Sequence, residues 1–178
     1  MAFNVNEMRS QLVYGGARQN LFQVRINNPA NGSADLKTPF MVTTAQLPES
    51  TVGVIPVWYF GRPLKLAGDR QFADWTVTVL NDEDFLVRNA LEEWSNRINR
   101  LERNVRDINR YKTSATVIQY SKDGTPIREY TFEGLFPQAI GGIDLDWSST
   151  DAIEQFQVTF SYDYWTVTGG TTGDAGGR

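Results

Sequence analysis

The sequence contains neither cysteine nor histidine. The first absence removes disulfides, thiolate zinc sites and thiol nucleophiles. The second removes imidazole, the usual general base near neutral pH, and with it every histidine-dependent triad. Carboxylate, lysine, tyrosine and serine chemistry remain, so the prior for an enzyme falls and no cofactor is expected. Long apolar runs are also missing. Nothing approaches the roughly 18 consecutive apolar residues of a membrane span. Met1-Ala2-Phe3-Asn4-Val5-Asn6-Glu7 has neither the basic nor the apolar region of a secretory signal. The expectation is a chain made and folded in a cytoplasm without a membrane anchor, in which Asn31-Gly32-Ser33 is a turn and not a glycosylation site. There is no excess of positive charge: the net formal charge is −4, which repels a phosphate backbone at long range and disfavours a dedicated nucleic-acid binder. Phosphate-binding fingerprints are lacking too, since Gly141-Gly142 opens no helix.

What is present reads as one β-rich domain. The 178 residues suit a single hydrophobic core, and the aromatic residues fall largely in alternating runs that favour strands. Residues 1–20 are polar and Gly-punctuated and read as an arm. Phe22, Val24 and Ile26 alternate with Gln23 and Arg25, a half-buried strand. A second strand is expected around Phe40 to Gln46. Residues 48–70 are unusual: Val52, Val54, Val57, Trp58, Tyr59 and Phe60 are strand formers, yet Gly53, Pro56, Gly61, Pro63 and Gly68 interrupt them. This predicts a long excursion of two extended arms with exposed aromatics. A monomer gains little from such a feature, whereas a subunit with neighbours can bury it.

Trp75 to Leu80 alternates strictly, and a helix is predicted over 82–109, capped by Asn81 or Asp82, with an apolar stripe at Val87, Leu91, Trp94, Ile98, Leu101, Val105 and Ile108. Thr113 to Tyr120 and Ile127 to Phe132 flank Asp123-Gly124, a hairpin signal. Further strands are expected at Gln138 to Trp147 and at Glu154 to Trp165, the latter the longest, with Phe156, Val158, Phe160, Tyr162 and Tyr164 on one face. The domain is bounded at 21–168, and residues 169–178, rich in Gly and Thr, read as a flexible tail.

Two clusters invite chemistry. On a strand, Asp144 and Asp146 would share one face, as an acid–base pair or a metal site would need. The plainer reading puts Ile143, Leu145 and Trp147 into the core and the acids in water, and a third has this polar face lining an aqueous channel. Arg97, Arg100, Arg103, Arg106 and Arg110 recur along the predicted helix, but Glu92, Glu93, Glu102 and Asp107 are interleaved. A solvated face with weak ion pairs outweighs a protein-docking face, and both outweigh nucleic-acid binding.

Ala67-Gly68-Asp69-Arg70-Gln71-Phe72-Ala73-Asp74-Trp75-Thr76-Val77-Thr78-Val79 followed by Asn81-Asp82-Glu83 resembles the tail-tube proteins of contractile-tailed phages. The same family is matched in order by Asn20-Leu21-Phe22-Gln23-Val24, Leu47-Pro48, Ile55-Pro56-Val57, Gly134-Leu135-Phe136-Pro137, Leu145-Asp146-Trp147, Phe156-Gln157-Val158-Thr159-Phe160 and Asp163-Tyr164-Trp165. Inner-tube proteins of extracellular contractile injection systems and tailocins belong to the wider family. The resemblance implies a β-sandwich or small barrel with one helix, whose sheet joins its neighbours into a continuous β-barrel lining a hexameric tube. It implies a virion protein whose rings stack into a conduit for DNA and the tape-measure protein. Its other partners would be the tail sheath protein, the baseplate initiator of the tube and the tail terminator. By the same resemblance, Val54, Ile55, Trp58, Tyr59, Phe60, Arg62, Lys65, Asp69 and Arg70 make contacts between subunits and rings. Asp144 and Asp146 are candidate lumen-lining residues, and Arg97, Arg100 and Arg103 candidate sheath-facing ones. The helical stripe extends beyond the family pattern at residues 99–112, where carry-over is weakest.

Three rival readings stand beside this one. A monomeric β-sandwich carbohydrate-binding module would use Trp58, Tyr59 and Phe60 in a concave site. A histidine-free carboxylate hydrolase would need two facing acids in a cleft. A baseplate protein that starts the tube would usually carry further domains.

Overall fold

A computed structural model of the chain describes residues 5–101 and 111–167. In chain order its elements are α1 (Val5–Gln11), β1 (Phe22–Ile26), α2 (Thr38–Met41), β2 (Val42–Ala45), β3 (Ser50–Tyr59), β4 (Arg62–Phe72), β5 (Trp75–Leu80), α3 (Leu86–Ile98), β6 (Thr113–Tyr120), β7 (Pro126–Ile140), β8 (Gln155–Ser161) and β9 (Tyr164–Val167). Seven strands form one hydrogen-bonded path, β1-β6-β7-β8-β5-β2, with β9 also on β7. Among the described residues β3 and β4 pair only with each other, as a separate ribbon.

β7 explains how one path encloses a core. Its first part pairs with β6 and β9, and its last residues, Phe136 to Ile140, pair with β8 instead. The change of partner follows Gly134, whose φ of +71° lies in the left-handed region. A Cβ there would sit 2.1 Å from an Asp163 carboxylate oxygen, so the bend requires glycine. The two halves of the path face each other across the core, where Trp75 of β5 stacks on Phe132 of β7 at 4.4 Å between ring centres. Val24, Val77, Val117, Val158 and Phe160 complete the fully enclosed centre. The alternation read along Trp75 to Leu80 is what the sheet uses: Trp75, Val77 and Val79 are buried and Thr76, Thr78 and Leu80 half-exposed. Among the described residues the path ends at β1 and β2 without closing into a barrel.

α3 lays Val87, Ala90, Leu91 and Trp94 against this core, with the Trp94 ring 6.2 Å from that of Phe160. Trp94 Nε1 donates to Tyr111 O at 2.7 Å, which satisfies its buried polar atom.

Several boundaries differ from the sequence reading. The helix begins at Leu86, not 82, because Phe85 takes a left-handed conformation at its N-cap. Neither Asn81 nor Asp82 caps it: Asn81 donates to Glu154, and Asp82 and Asp84 both bind Lys37. The helix ends at Ile98, with Asn99 extended, and not at 109. Val105 and Ile108 of the expected stripe lie outside the described residues. The expected strand at Phe40 to Gln46 is a helical turn followed by β2. The strand expected over Gln138 to Trp147 ends at Ile140, the end of β7, which is the longest strand at 15 residues. The run from Glu154 to Trp165 is two strands. It breaks at Asp163, whose N–H donates to Glu133 O and whose carboxylate binds Lys112, so Tyr164 leaves the core face and is exposed. The tail beyond Val167 lies outside the described residues.

Candidate functional site: an exposed apolar ribbon

The β3–β4 ribbon is the least ordinary surface of the chain. Its register runs from Ser50↔Phe72 to Tyr59↔Arg62, with a bulge between Val52 and Val54. Pro56 and Pro63 are tolerated because an isolated pair leaves one side of each strand unbonded. Almost every residue of both strands is exposed, with Trp58 at 70%, Tyr59 at 71% and Phe60, at the turn, at 91%. A two-stranded hairpin is at best marginally stable alone in water, and large apolar side chains exposed on both of its faces mark an interaction surface.

The ribbon brings together all the contact residues expected from sequence. Val54, Ile55, Trp58 and Tyr59 are exposed on β3, Arg62, Lys65, Asp69 and Arg70 on β4, and Phe60 at the turn between them. The turn itself is tight. Its two central residues are Phe60, with φ of +43°, and Gly61, with φ of +80°. Positive φ at both defines the two-residue hairpin turn that matches strand twist.

The other candidates are dispersed. Asp144 and Asp146 share no strand face, because the chain has left the sheet at Ile140. Both are exposed. Asp146 accepts from Ser148 N at 2.9 Å and from Ser148 Oγ at 2.8 Å. These hydrogen bonds hold its carboxyl below the usual range. The alternative in which their apolar neighbours enter the core also fails for Leu145 and Trp147. Leu145 is 79% exposed and Trp147 fully so, while Ile143 alone packs on the core. Arg97 donates to Pro29 O at 2.6 Å and Ala30 O at 3.4 Å, tying α3 to the loop after β1. Arg100 is exposed, and Arg103 lies outside the described residues.

Sequence reading missed Leu145, Trp147 and Ile153, which together make an exposed apolar stretch on the segment between β7 and β8. Alternation alone gave no signal for it. Among the described residues no helix is long and apolar enough to cross a membrane.

Among the described residues the sheet path ends at β1 and β2, and an exposed apolar ribbon stands beside its well-packed core, the kind of surface that marks an interaction site. The family profile described as phage tail tube protein matches residues 17–168. Tail tube protein gp19 of Enterobacteria phage T4 is 38% identical over 152 residues, covering 84% of this chain and 90% of that one. The tail tube protein of Serratia phage KSP90 is 28% identical over 165 residues, covering 89% and 93%. In solved structures the fold recurs in the tube-terminating cap of the anti-feeding prophage, with TM-score 0.64, 18% identity, and 86% and 91% of the two chains covered. It recurs also in the sheath/tube terminator of an extracellular contractile injection system, with TM-score 0.65, 14% identity, and 86% and 97% covered. The chain belongs to the phage tail tube protein family, a family of structural virion-tail components and not of enzymes.

Proposed function

We propose that copies of this chain form six-membered rings that stack into the hollow inner tube of a contractile tail, the conduit for DNA and the tape-measure protein. The observation that carries this reading is the ribbon: Val54 and Trp58 on one face, Ile55 and Tyr59 on the other, and Phe60 at the turn are all apolar and exposed. A neighbouring copy is the natural cover, because burying such a surface at about 25 cal/mol per Å² offsets the cost of association.

The open path of the sheet supports the same reading. Among the described residues β1 and β2 have no further strand beyond them, and such edges invite strand addition. Pairing with identical neighbours around a six-fold axis satisfies those edges and closes a continuous barrel around a lumen. Asp144 and Asp146 are candidates for the lumen wall, where carboxylates would keep DNA from adhering, since no phosphate is neutralised and no counterions are released. Neutral or basic residues at the wall in place of these two would refute that assignment. On the outside, Arg97 and Arg100, both exposed, are the described members of the arginine series offered to the sheath protein, and Arg103 lies outside the described residues. The baseplate initiator and the tail terminator would meet the two ends.

The rival carbohydrate module is disfavoured because Trp58, Tyr59 and Phe60 lie 70%, 71% and 91% exposed at the far end of a two-stranded ribbon. An inner tube of an injection system shares the fold, but the relatives at 38% identity are phage proteins. Negative-stain microscopy of the purified protein tests the proposal. Rings or hollow tubes are expected, and a uniformly monomeric sample at high concentration, with or without a tube initiator, would refute it.

A further inference from the structure

Below the β3–β4 ribbon, the body holds a buried hydroxyl that the fold does not satisfy. Tyr162, the residue after β8, packs its ring against Phe72 at the end of β4 and Phe132 of β7, with ring centres at 6.0 and 4.9 Å. Only 8% of the residue is exposed. Its hydroxyl is buried and has no hydrogen-bond partner among the described residues. A polar group withdrawn from water and left unpaired is costly, so a native fold that keeps one calls for a partner.

Two carboxylates stand beside it. Glu49 immediately precedes β3, and Asp74 lies between the end of β4 and the start of β5. The pairing of Ser50 with Phe72 brings these two connecting segments together. Trp75 Nε1 donates to Gln46 O at 2.8 Å and ties them a second time. Burial pushes the Tyr162 hydroxyl above its ordinary range, and the negative charges of Asp74 and then Glu49 push it further, so both acids act on the hydroxyl. Both are exposed, and among the described residues neither has an ion-pair partner. Two negative charges beside a buried, unpaired hydroxyl leave the local field uncompensated.

The donor set indicates what would compensate it. Two carboxylates and a phenol oxygen are hard ligands, the type that hard cations take. Mg²⁺ demands near-octahedral geometry and gives up its water reluctantly, whereas Ca²⁺ accepts irregular oxygen sets and completes them with water. Exposed carboxylates on two separate segments suit the second.

We infer that Glu49, Asp74 and the Tyr162 hydroxyl form a binding site for one Ca²⁺ ion at the root of the ribbon. The site needs a single chain only and stands apart from the tube reading. A bound ion ties the segment entering β3 to the segment leaving β4, and holds both against the body where the ribbon's direction is set. With two charged ligands and open access to water, its dissociation constant is expected at the weak end of such sites, about 0.1–1 mM.

Terbium(III), which replaces Ca²⁺ and luminesces when a nearby tyrosine or tryptophan is excited, is the probe, in protein dilute enough to stay monomeric. Tyr162 and Trp75, the neighbour of Asp74, are the sensitisers. Saturable luminescence displaced by millimolar Ca²⁺ is expected. Glu49→Gln and Asp74→Asn, both at exposed positions, should each weaken binding about tenfold or more. Asp144→Asn combined with Asp146→Asn, in the segment before β8 and so beyond its other end, should leave it unchanged. Tyr162→Phe removes an unpaired hydroxyl, so the metal-free chain should melt no lower, yet its affinity for Ca²⁺ should fall several-fold. For the native chain, Ca²⁺ at about ten times Kd should raise the melting temperature by about 3–6 °C. Absence of saturable binding, binding that survives Glu49→Gln and Asp74→Asn together, or equal loss in the Asp144 and Asp146 double variant would overturn the inference. Affinity unchanged by Tyr162→Phe would overturn it as well. Each of these outcomes is read on the monomer and leaves the tube reading intact.

Discussion

Replacing Gly134 with alanine tests the bend on which the two halves of the sheet depend. Two penalties are readable from the structure. The left-handed φ of +71° costs an L residue roughly 1–2 kcal/mol. The new Cβ would also lie 2.1 Å from Asp163 Oδ2 and 2.6 Å from its Cγ, so the carboxylate must turn away. Turning it breaks the contact with Lys112 Nζ at 2.7 Å and forces a strained rotamer at about 0.5–1.5 kcal/mol. The sum is about 1.5–3.5 kcal/mol of destabilisation. Urea unfolding followed by tryptophan fluorescence, in protein dilute enough to stay monomeric, reads this as a lower midpoint at unchanged slope. The two penalties separate in an Asp163→Ala background, where the carboxylate is gone and, beside the 3.1 Å approach of the remaining Cβ, the backbone cost of roughly 1–2 kcal/mol should dominate. Equal stability of Gly134→Ala and the native chain, or a full penalty that survives Asp163→Ala, would refute the reasoning.

Three further outcomes are expected. Trp94→Ala removes a fully buried ring and leaves Tyr111 O without its donor, so it should cost about 3–5 kcal/mol in the same unfolding assay. Lys37 lies between Asp82 and Asp84, and its hydrogen bonds lower both carboxyls while they raise the ammonium. The stability from the lowered carboxyls is present above the ordinary aspartate range and lost as pH falls through it, near about pH 4 and below; that from the raised lysine is lost only as pH rises past its own range. Lys37→Met should therefore flatten the acid limb of a stability-versus-pH curve, and an unchanged limb would count against the clamp. Finally, Val54→Lys combined with Ile55→Glu places charge on two exposed sites. Monomer stability should change by only about 0.5 kcal/mol, yet assembly seen by sedimentation should be abolished.

Much of this was legible in the sequence where burial leaves a period. β5 could be read residue by residue, because its Val and Trp positions face the core and its Thr positions do not. The ribbon was legible for the opposite reason: strand formers broken by Pro and Gly have no place in a central strand, so they had to lie outside one. Leu145 and Trp147 were not legible. Ile143-Asp144-Leu145-Asp146-Trp147 alternates as a strand would, but β7 leaves the sheet after Ile140, with Gly141 N donating to Gln157 O at 2.7 Å as a last bond. Alternation reports which residues could share a face, and only pairing partners decide whether a face exists. The helix start was misread for a similar reason. Asn81 and Asp82 are good caps by type, but each is engaged elsewhere, by Glu154 and by Lys37. The bend at Gly134 left a clue in Gly134-Leu135-Phe136-Pro137, though its cause, the close approach of Asp163 from a distant point in the chain, lies in the tertiary packing.

The central claim is that the ribbon exists to be covered by other copies of the same chain in a hollow tube. A cryo-electron microscopy reconstruction of particles assembled from the purified protein tests it most directly. The account predicts six copies per ring, a continuous sheet around an open lumen, and Trp58, Tyr59 and Phe60 buried against neighbouring subunits. Particles in which the ribbon points into solvent, or in which the lumen is closed, would contradict it.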